Sequence, residues 1–255
     1  MTPAEIAFLA VAGFGAGVVN GVAGGGSMVS FPALLVVGVP SLAANVTSTV
    51  GIWPGYAGGA AGFRRNLATQ RDRLRALAPI ALAGAVVGSL LILVTPEDAF
   101  DALAPWLVLV ACALFAAQPR LARRLAVDHR DDGGGVEGGH AALRAAGVFV
   151  ASVYGAYFGA GLGVLLLAVL GITLPGRLAD LNAVRTVLAL LVNSIAVVVF
   201  AVAAPVVWSA AGAMAVASLA GGYVGARSAA RMPVPVFRAA VLALGLAAAV
   251  GLFMR

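Results

Sequence analysis

The sequence predicts an all-α polytopic membrane protein whose two halves repeat one another in opposite orientation, with glycine-broken or re-entrant helices and about 8–10 membrane segments. Three observations predict it. The chain of 255 residues is 62% hydrophobic and 10% charged, and a soluble fold could not hide several runs of roughly 20 apolar residues, each long enough to cross ~30 Å of hydrocarbon. None of those runs keeps one face polar, as a soluble amphipathic helix would. A glycine cluster also interrupts an apolar run in each half, which a bilayer tolerates only where protein or a water-lined cavity satisfies the freed backbone groups.

Taken in order, the apolar stretches fall at about residues 4–22, 27–39, 42–62, 76–95, 101–118, 143–161, 163–175, 182–203, 206–226 and 235–254. The first lacks a positively charged leader, Glu5 being its only charge, so it is read as a retained segment. Gly24, Gly25 and Gly26 follow, and three successive residues without a Cβ let the backbone turn tightly. The second and seventh stretches are short for full crossings and fit half-helices of re-entrant hairpins. The third carries Asn45, Thr47, Ser48 and Thr49, polar groups that need partners at membrane depth.

Charge reports orientation. All sixteen basic residues are Arg. Arg64, Arg65, Arg71, Arg73 and Arg75 crowd one loop, Arg120, Arg123, Arg124, Arg130 and Arg144 a second, and Arg227, Arg231 and Arg238 a third, while Glu97, Asp98 and Asp101 hold a turn without Arg. The positive-inside rule puts the three Arg clusters in the cytoplasm and the acidic turn outside, which leaves both termini external. Residues 119–142, with Gly133, Gly134, Gly135, Gly138 and Gly139 among mixed charges, read as a flexible cytoplasmic linker between a first transmembrane repeat, 1–118, and a second, 143–255. In the second repeat GAYFGAGLGVLLLAVLGI echoes GVVNGVAGGGSMVSFPALLVVGV of the first, and Asn182 echoes Asn45. An odd number of crossings per half makes the repeats inverted, the plan of many secondary transporters.

Several function classes are poorly supported. The net charge of +6 lies in loops between apolar runs, so no nucleic-acid partner is read from it. His129 and His140 both fall in the linker and the carboxylates in loops or at segment ends, so no catalytic group and no metal-ligating set meets inside the membrane. Cys112, the one cysteine, offers neither a disulfide framework nor a cysteine metal cluster. No cofactor is expected.

What remains suits binding an anion without reacting with it. Arg185 lies near the start of the eighth stretch with Asn182 three positions earlier on the same helical face, and Asn45 and Ser48 repeat that spacing. The candidate substrate-binding set is Asn45, Ser48, Thr49, Asn182, Arg185, Gly25, Gly26 and Gly161, with Asp180 as a proton or charge partner. Helix amino termini after the glycine breaks would add backbone donors for an oxyanion. Each assignment has a plainer alternative. Arg185 could snorkel to the interface and pair with Asp180, Asn45 to Thr49 could cap or hydrogen-bond between helices, and the glycine sets, Gly159, Gly161 and Gly163 included, could serve close packing. Trp53, Tyr56, Tyr154, Tyr157 and Trp208 line a pathway or anchor at the interface. Asn20 and Asn193 share that ambiguity and stay outside the set.

The strings NGVAGGGSMVSFPALLVVGVPSLAANVTSTVGIWPG and YGAYFGAGLGVLLLAVLGI, the latter followed by LNAVRTVLALLVN, resemble the paired motifs of the TauE/SafE sulfite exporter family, also called the toluene sulfonate uptake permease family. The resemblance covers the chain apart from the linker. It implies a multi-pass transporter of the bacterial inner membrane for small sulfur-containing anions such as sulfite, sulfonates or sulfoacetate-like compounds, with one half of the site around Asn45 and the other around Asn182 and Arg185. Many relatives carry Lys where this chain has Arg185, and a guanidinium binds an oxyanion in a bidentate way that an ammonium cannot. Export by alternating access is the expectation. A proton-coupled importer of an organosulfonate or carboxylate, using Asp180 or Glu5, and a membrane scaffold without transport are the alternatives. The apolar belt needed for lipid says nothing of oligomeric state.

Overall fold

The computed structural model of the chain describes residues 1–128, 137–228 and 234–254, with side chains described for 1–118, 141–228 and 238–254. The linker glycines from Gly133 to Gly135, the side chains of Arg120, Arg123, Arg124, Arg130, Arg231, His129 and His140, and Arg255 lie outside the described residues.

Eleven helices occupy the described residues: α1 Pro3–Val22, α2 Ser27–Val36, α3 Ser41–Gly62, α4 Arg64–Leu67, α5 Arg71–Val94, α6 Glu97–Asp128, α7 Glu137–Tyr157, α8 Leu162–Thr173, α9 Leu178–Ala203, α10 Trp208–Ser228 and α11 Val234–Phe253. Each apolar stretch of the sequence becomes one helix. The differences lie at polar ends, because hydrophobicity marks where lipid begins and backbone hydrogen bonding carries a helix beyond it. Thus α5 takes in Arg71 to Arg75, where Asp72 and Arg75 pair at 3.6 Å, and α9 starts at Leu178 and takes in Asp180. Helix also runs through part of the expected linker, since α6 continues to Asp128 and α7 begins at Glu137. At the amino terminus Thr2 caps α1 in a reciprocal box with Glu5, whose carboxylate accepts from the Thr2 amide at 2.8 Å.

Among the described residues, five helices are long and apolar enough to cross a membrane, namely α1, α5, residues 97–118 of α6, α9 and α10, with α2, α8 and the apolar parts of α7 and α11 shorter. Helix α3 has 22 residues but falls outside those five, because Ser41, Asn45, Thr47, Ser48 and Thr49 dilute its apolar character. Those residues are all buried, so α3 runs inside the bundle against α1, α9 and α10.

Small residues set the closest crossings. Along α1, Gly13, Gly17 and Gly21 face Met214, Ser218 and Ala226 of α10 in rising order, so the two helices run parallel. A Cβ on Gly13 would lie 2.7 Å from the Met214 Cα. Gly51, Gly55 and Gly62 of α3 meet the same side of α10, again in parallel. The second such contact joins α5 to α7, where Gly84 would place a Cβ 2.6 Å from the Phe149 carbonyl. Lipid gives helices no hydrophobic reason to associate, so backbone approach and dispersion hold these contacts.

The pairings form a pattern. Helix α1 lies along α10 and α7 along α5; α3 packs on α10 and α9 on α5; α2 touches α11 and α8 touches α6; α3 crosses α9, and α6 meets α11. The paired short helices return to the face they came from. Arg144, near the start of α7, donates to the Thr173 carbonyl at the end of α8 at 3.1 Å. At the opposite end of the bundle, Met1 reaches Ser209 at the start of α10 and Thr47 of α3 accepts from the Val207 amide at 2.9 Å. One end therefore gathers Arg64, Arg65, Arg73, Arg144 and Arg227, with Arg73 donating to the Pro175 carbonyl at 2.7 Å. The other carries Glu5, Glu97 and Asp98.

Candidate functional site

Each glycine break leaves the last carbonyls of a helix without the usual partner, and each must find one. After α1 the chain turns at Gly24, whose φ of +82° is left-handed and favours glycine. After α7 it turns at Gly159 and again at Gly161, with φ of +80° and +88°. The two breaks touch. The Gly163 amide donates to the Gly24 carbonyl at 3.1 Å, and a Cβ on Gly163 would lie 2.5 Å from the Gly24 Cα. No larger residue fits either position without parting the hairpins.

Arg185 stands beside that crossing. It is 1% exposed and about two turns into α9. Its Nε donates to the Asn182 Oδ1 at 2.8 Å and its Nη2 to the Asn20 carbonyl at 3.2 Å, near the end of α1. A Cβ on Gly163 would lie 2.6 Å from its Nη1, and one on Gly24 would collide with that same nitrogen. The Arg185 guanidinium is therefore enclosed by protein and not extended to the protein surface. Asp180 accepts from Asn66 Nδ2 at 2.8 Å. Among the described residues the one salt bridge is Arg75 to Asp72. Arg185 is thus a buried cation whose hydrogen-bond partners are neutral.

The Asn20 side chain accepts from the Gly26 amide through Oδ1 at 2.7 Å, which fixes the turn into α2. Its Nδ2 is buried without a partner. The Tyr56 hydroxyl lies by Asn20 and Asn193, within electrostatic reach of Arg185, and Asn193 turns its own Nδ2 to the Ala189 carbonyl at 2.8 Å. On the far side of the break, Gln118 of α6 donates to the Ala23 carbonyl at 3.2 Å and accepts from Arg238 Nη2 at 3.0 Å.

A second polar group surrounds the end of α7. Asn45 Nδ2 donates to the Tyr157 carbonyl at 2.9 Å, Ser48 shares a hydrogen bond with Ser30 of α2, and Thr49 returns its hydroxyl to the Asn45 carbonyl at 3.1 Å. Gly159 opens toward the Ser27 and Thr49 hydroxyls, at 3.2 and 3.6 Å from where its Cβ would be. Phe158 anchors this break, ringed by Phe31, Phe100 and Tyr154.

The sequence-derived set therefore divides in two. Asn182 and Arg185 gather at the end of α1, and Asn45, Ser48 and Thr49 at the end of α7, each spending at least one polar group on backbone or on a neighbouring side chain. Of the glycines, Gly26 packs on Asn20, Gly25 faces Phe115 and Met28, and Gly161 faces Ala111 and Leu114 of α6. Gly24 and Gly163, not Gly25 and Gly161, stand against Arg185. Two backbone donors expected to be free are used inside the protein, Gly26 N–H by Asn20 and Gly163 N–H by Gly24. The aromatics divide as well. Trp53 donates to Ser194 at 2.9 Å and so ties α3 to α9, Tyr154 bonds the Leu107 carbonyl, Tyr157 bonds Thr95, and Trp208 is exposed. Asn20, Tyr56 and Gln118 join the site through contacts between segments far apart in sequence. Asn20, four residues before the glycine turn at 24–26, and Tyr56 are singled out by the sequence without a place in the site; Gln118 is not.

The family described as Sulfite exporter TauE/SafE matches residues 9–252. A curated relative, the "Probable membrane transporter protein ORF9" of Sinorhizobium sp, is 33% identical over 117 residues, which span 46% of this chain and 44% of that protein. The chain thus matches less than half the length of that relative. No solved structure matches the chain.

Proposed function

Since the chain belongs to the Sulfite exporter TauE/SafE family, a family of multi-pass membrane transporters, we propose that it exports a small sulfur-containing anion, sulfite or a sulfonate, across the bacterial inner membrane, with Arg185 as the group that holds the anion. One observation carries this reading: a guanidinium 1% exposed, wedged at the meeting of two broken helices, with no carboxylate paired to it among the described residues. Buried charge without a counter-ion is costly. An anionic substrate supplies the missing charge and takes the guanidinium donors that Asn182 and the Asn20 carbonyl leave over.

The pairing pattern supports alternating access between two inverted halves. Exchanging α1 with α7, α2 with α8, α3 with α9, α5 with α10 and α6 with α11 maps each principal contact onto another or onto itself. The reciprocity extends to the breaks, since Asn45 of α3 holds the end of α7 while Arg185 of α9 holds the end of α1. Two hairpins entering from opposite faces and touching at Gly24 and Gly163 are the parts that must part and re-form as the site changes sides. The Arg-rich end is cytoplasmic and both termini are external.

Direction follows from the potential. With the cytoplasm negative, each elementary charge leaving gains ~2.3 kcal/mol per 100 mV, enough to hold a monovalent anion about fiftyfold lower inside without a coupled ion. Glu5 caps α1 and Asp180 is held by Asn66, so neither candidate proton carrier stands beside Arg185.

The test is flux in proteoliposomes loaded with sulfite or methanesulfonate. Efflux that rises with an inside-negative potential and vanishes in Arg185→Ala is expected. Uptake driven by an acid exterior and indifferent to potential would make the protein a proton-coupled importer, and absence of any flux from folded protein would return the scaffold reading.

A further inference from the structure

We propose that Asn20 is a second anion ligand, its carboxamide nitrogen donating from the first half to the same oxyanion that Arg185 holds from the second. The inference rests on the transport reading above and adds a residue and a geometry to it.

The side chain is 1% exposed, and its two ends have unequal fates. Oδ1 is committed to the Gly26 amide at 2.7 Å, so the amide cannot flip, because the opposite orientation would set N–H against N–H. Nδ2 is thereby fixed in direction and has no acceptor among the described residues. The Tyr56 hydroxyl is its polar neighbour and interacts with the Asn20 side chain, yet Nδ2 makes no hydrogen bond of good geometry. Buried polar groups rarely go unpartnered, and one that does asks for an explanation. Arg185 meets the same residue on its backbone, at the Asn20 carbonyl, and also lies within reach of Tyr56. The guanidinium, the carboxamide nitrogen and the phenol therefore converge on one neighbourhood, and each can donate.

Such a set is built for acceptor oxygens. A planar guanidinium takes two oxygens of an oxyanion along one edge, and a donor from another helix takes a third or shares one of those two. Sulfite and a sulfonate headgroup each present three oxygens. A halide has no separate oxygens to divide among donors, and a carboxylate has two. Asn20 also ties ligand to conformation: its carbonyl, its Oδ1 and its Nδ2 lie at the end of α1, in the turn and in the site.

The experiment measures binding of sulfite and methanesulfonate to the detergent-purified full chain by calorimetry, with thermal unfolding recorded for every variant. Asn20→Asp is the first change, because it keeps an oxygen for the Gly26 amide while turning the donor into an acceptor. We expect affinity to fall by roughly tenfold to a hundredfold, the range of one hydrogen bond to a charged group, with the thermal midpoint kept. A carboxylate drawn to Arg185 would cause the same loss by neutralising the guanidinium, so Asn20→Ala, which adds no charge, is measured in every case and must also lose roughly tenfold or more. Wild-type affinity in Asn20→Asp overturns the inference and leaves Asn20 as a turn anchor. Whether or not that variant folds, Asn20→Ala decides: affinity within about threefold of wild type overturns the inference, and a loss of roughly tenfold or more at an unchanged midpoint upholds it. Failure of the transport reading is separate, since it would show as wild type binding neither anion or as Arg185→Ala binding like wild type.

Discussion

Replacing Gly163 by Ala isolates the contact on which the two hairpins depend. Gly163 lies in the first turn of α8 and its φ is not left-handed, so the methyl group suits the local backbone and favours the helix by about 1 kcal/mol. Between the hairpins it does not fit. The new Cβ would lie 2.5 Å from the Gly24 Cα, 2.7 Å from the Gly24 oxygen and 2.6 Å from Arg185 Nη1. Contacts of that kind relax to about 3.5 Å or more, so α8 and the end of α1 must separate by about 1 Å. Separation stretches the Gly163 to Gly24 hydrogen bond of 3.1 Å, worth about 1 kcal/mol net, and overpacking of this kind costs about 1–3 kcal/mol. Less the helix gain, the crossing is weakened by about 1–3 kcal/mol, or roughly five- to hundredfold in the population of the closed arrangement. Sulfite binding and flux should fall by that order while the far-ultraviolet helical signal of the purified protein stays unchanged. An Ala variant with wild-type affinity, flux and thermal midpoint would refute the claim that the breaks press on one another at Arg185.

Four further outcomes follow from the same geometry. Arg185→Gln removes the buried charge and should weaken sulfite binding by about 3 kcal/mol or more, near a hundredfold, whereas Arg185→Lys should keep measurable binding, since the charge remains, but with altered preference among sulfonates, because one ammonium cannot serve Asn182, the Asn20 carbonyl and an oxyanion with fork geometry; calorimetry against both anions reads the difference. Asn45→Leu strips the donor from the Tyr157 carbonyl, 2.9 Å away, and should lower stability by about 1–3 kcal/mol, seen as a drop in thermal midpoint. Gly17→Val drives a branched side chain into the α10 backbone, where even a Cβ would sit 2.8 Å from the Gly222 amide, so the protein should fail to accumulate in the membrane, while the same change at Gly212, which faces open space, should be tolerated. For orientation, in a Cys112→Ala background a membrane-impermeant maleimide should label Asp98→Cys and not Arg64→Cys in intact cells; the reverse pattern would invert the topology.

Much of this architecture is written along the chain, because the bilayer imposes its demands locally. A run of apolar residues must be helical across the hydrocarbon, so ten stretches read from hydrophobicity reappear as the ten longer helices, while the four-residue α4, the polar first turns and the continuation of α6 to Asp128 were hidden. The glycine clusters marked both breaks, since no other residue adopts the left-handed turn at Gly24 and Gly161 so readily. The presence of an Arg in an apolar helix was likewise visible. What that Arg does was not. One turn's uncertainty in where α9 begins left Arg185 balanced between interface and interior, and only the packing of α1, α8 and α9 around it encloses the guanidinium in protein. Asn45 echoes Asn182 and Ser48 echoes Arg185, yet Asn45 closes the end of α7 while in the second half it is Arg185, and not Asn182, that closes the end of α1. Spacing along a helix fixes which residues share a face; it holds no information about which distant backbone carbonyl that face will meet. Asn20 makes the same point at a single residue, since its oxygen, nitrogen and carbonyl acquired three different partners or vacancies only when α1, α2 and α9 came together, a juxtaposition of residues 20, 26 and 185 that no local pattern encodes.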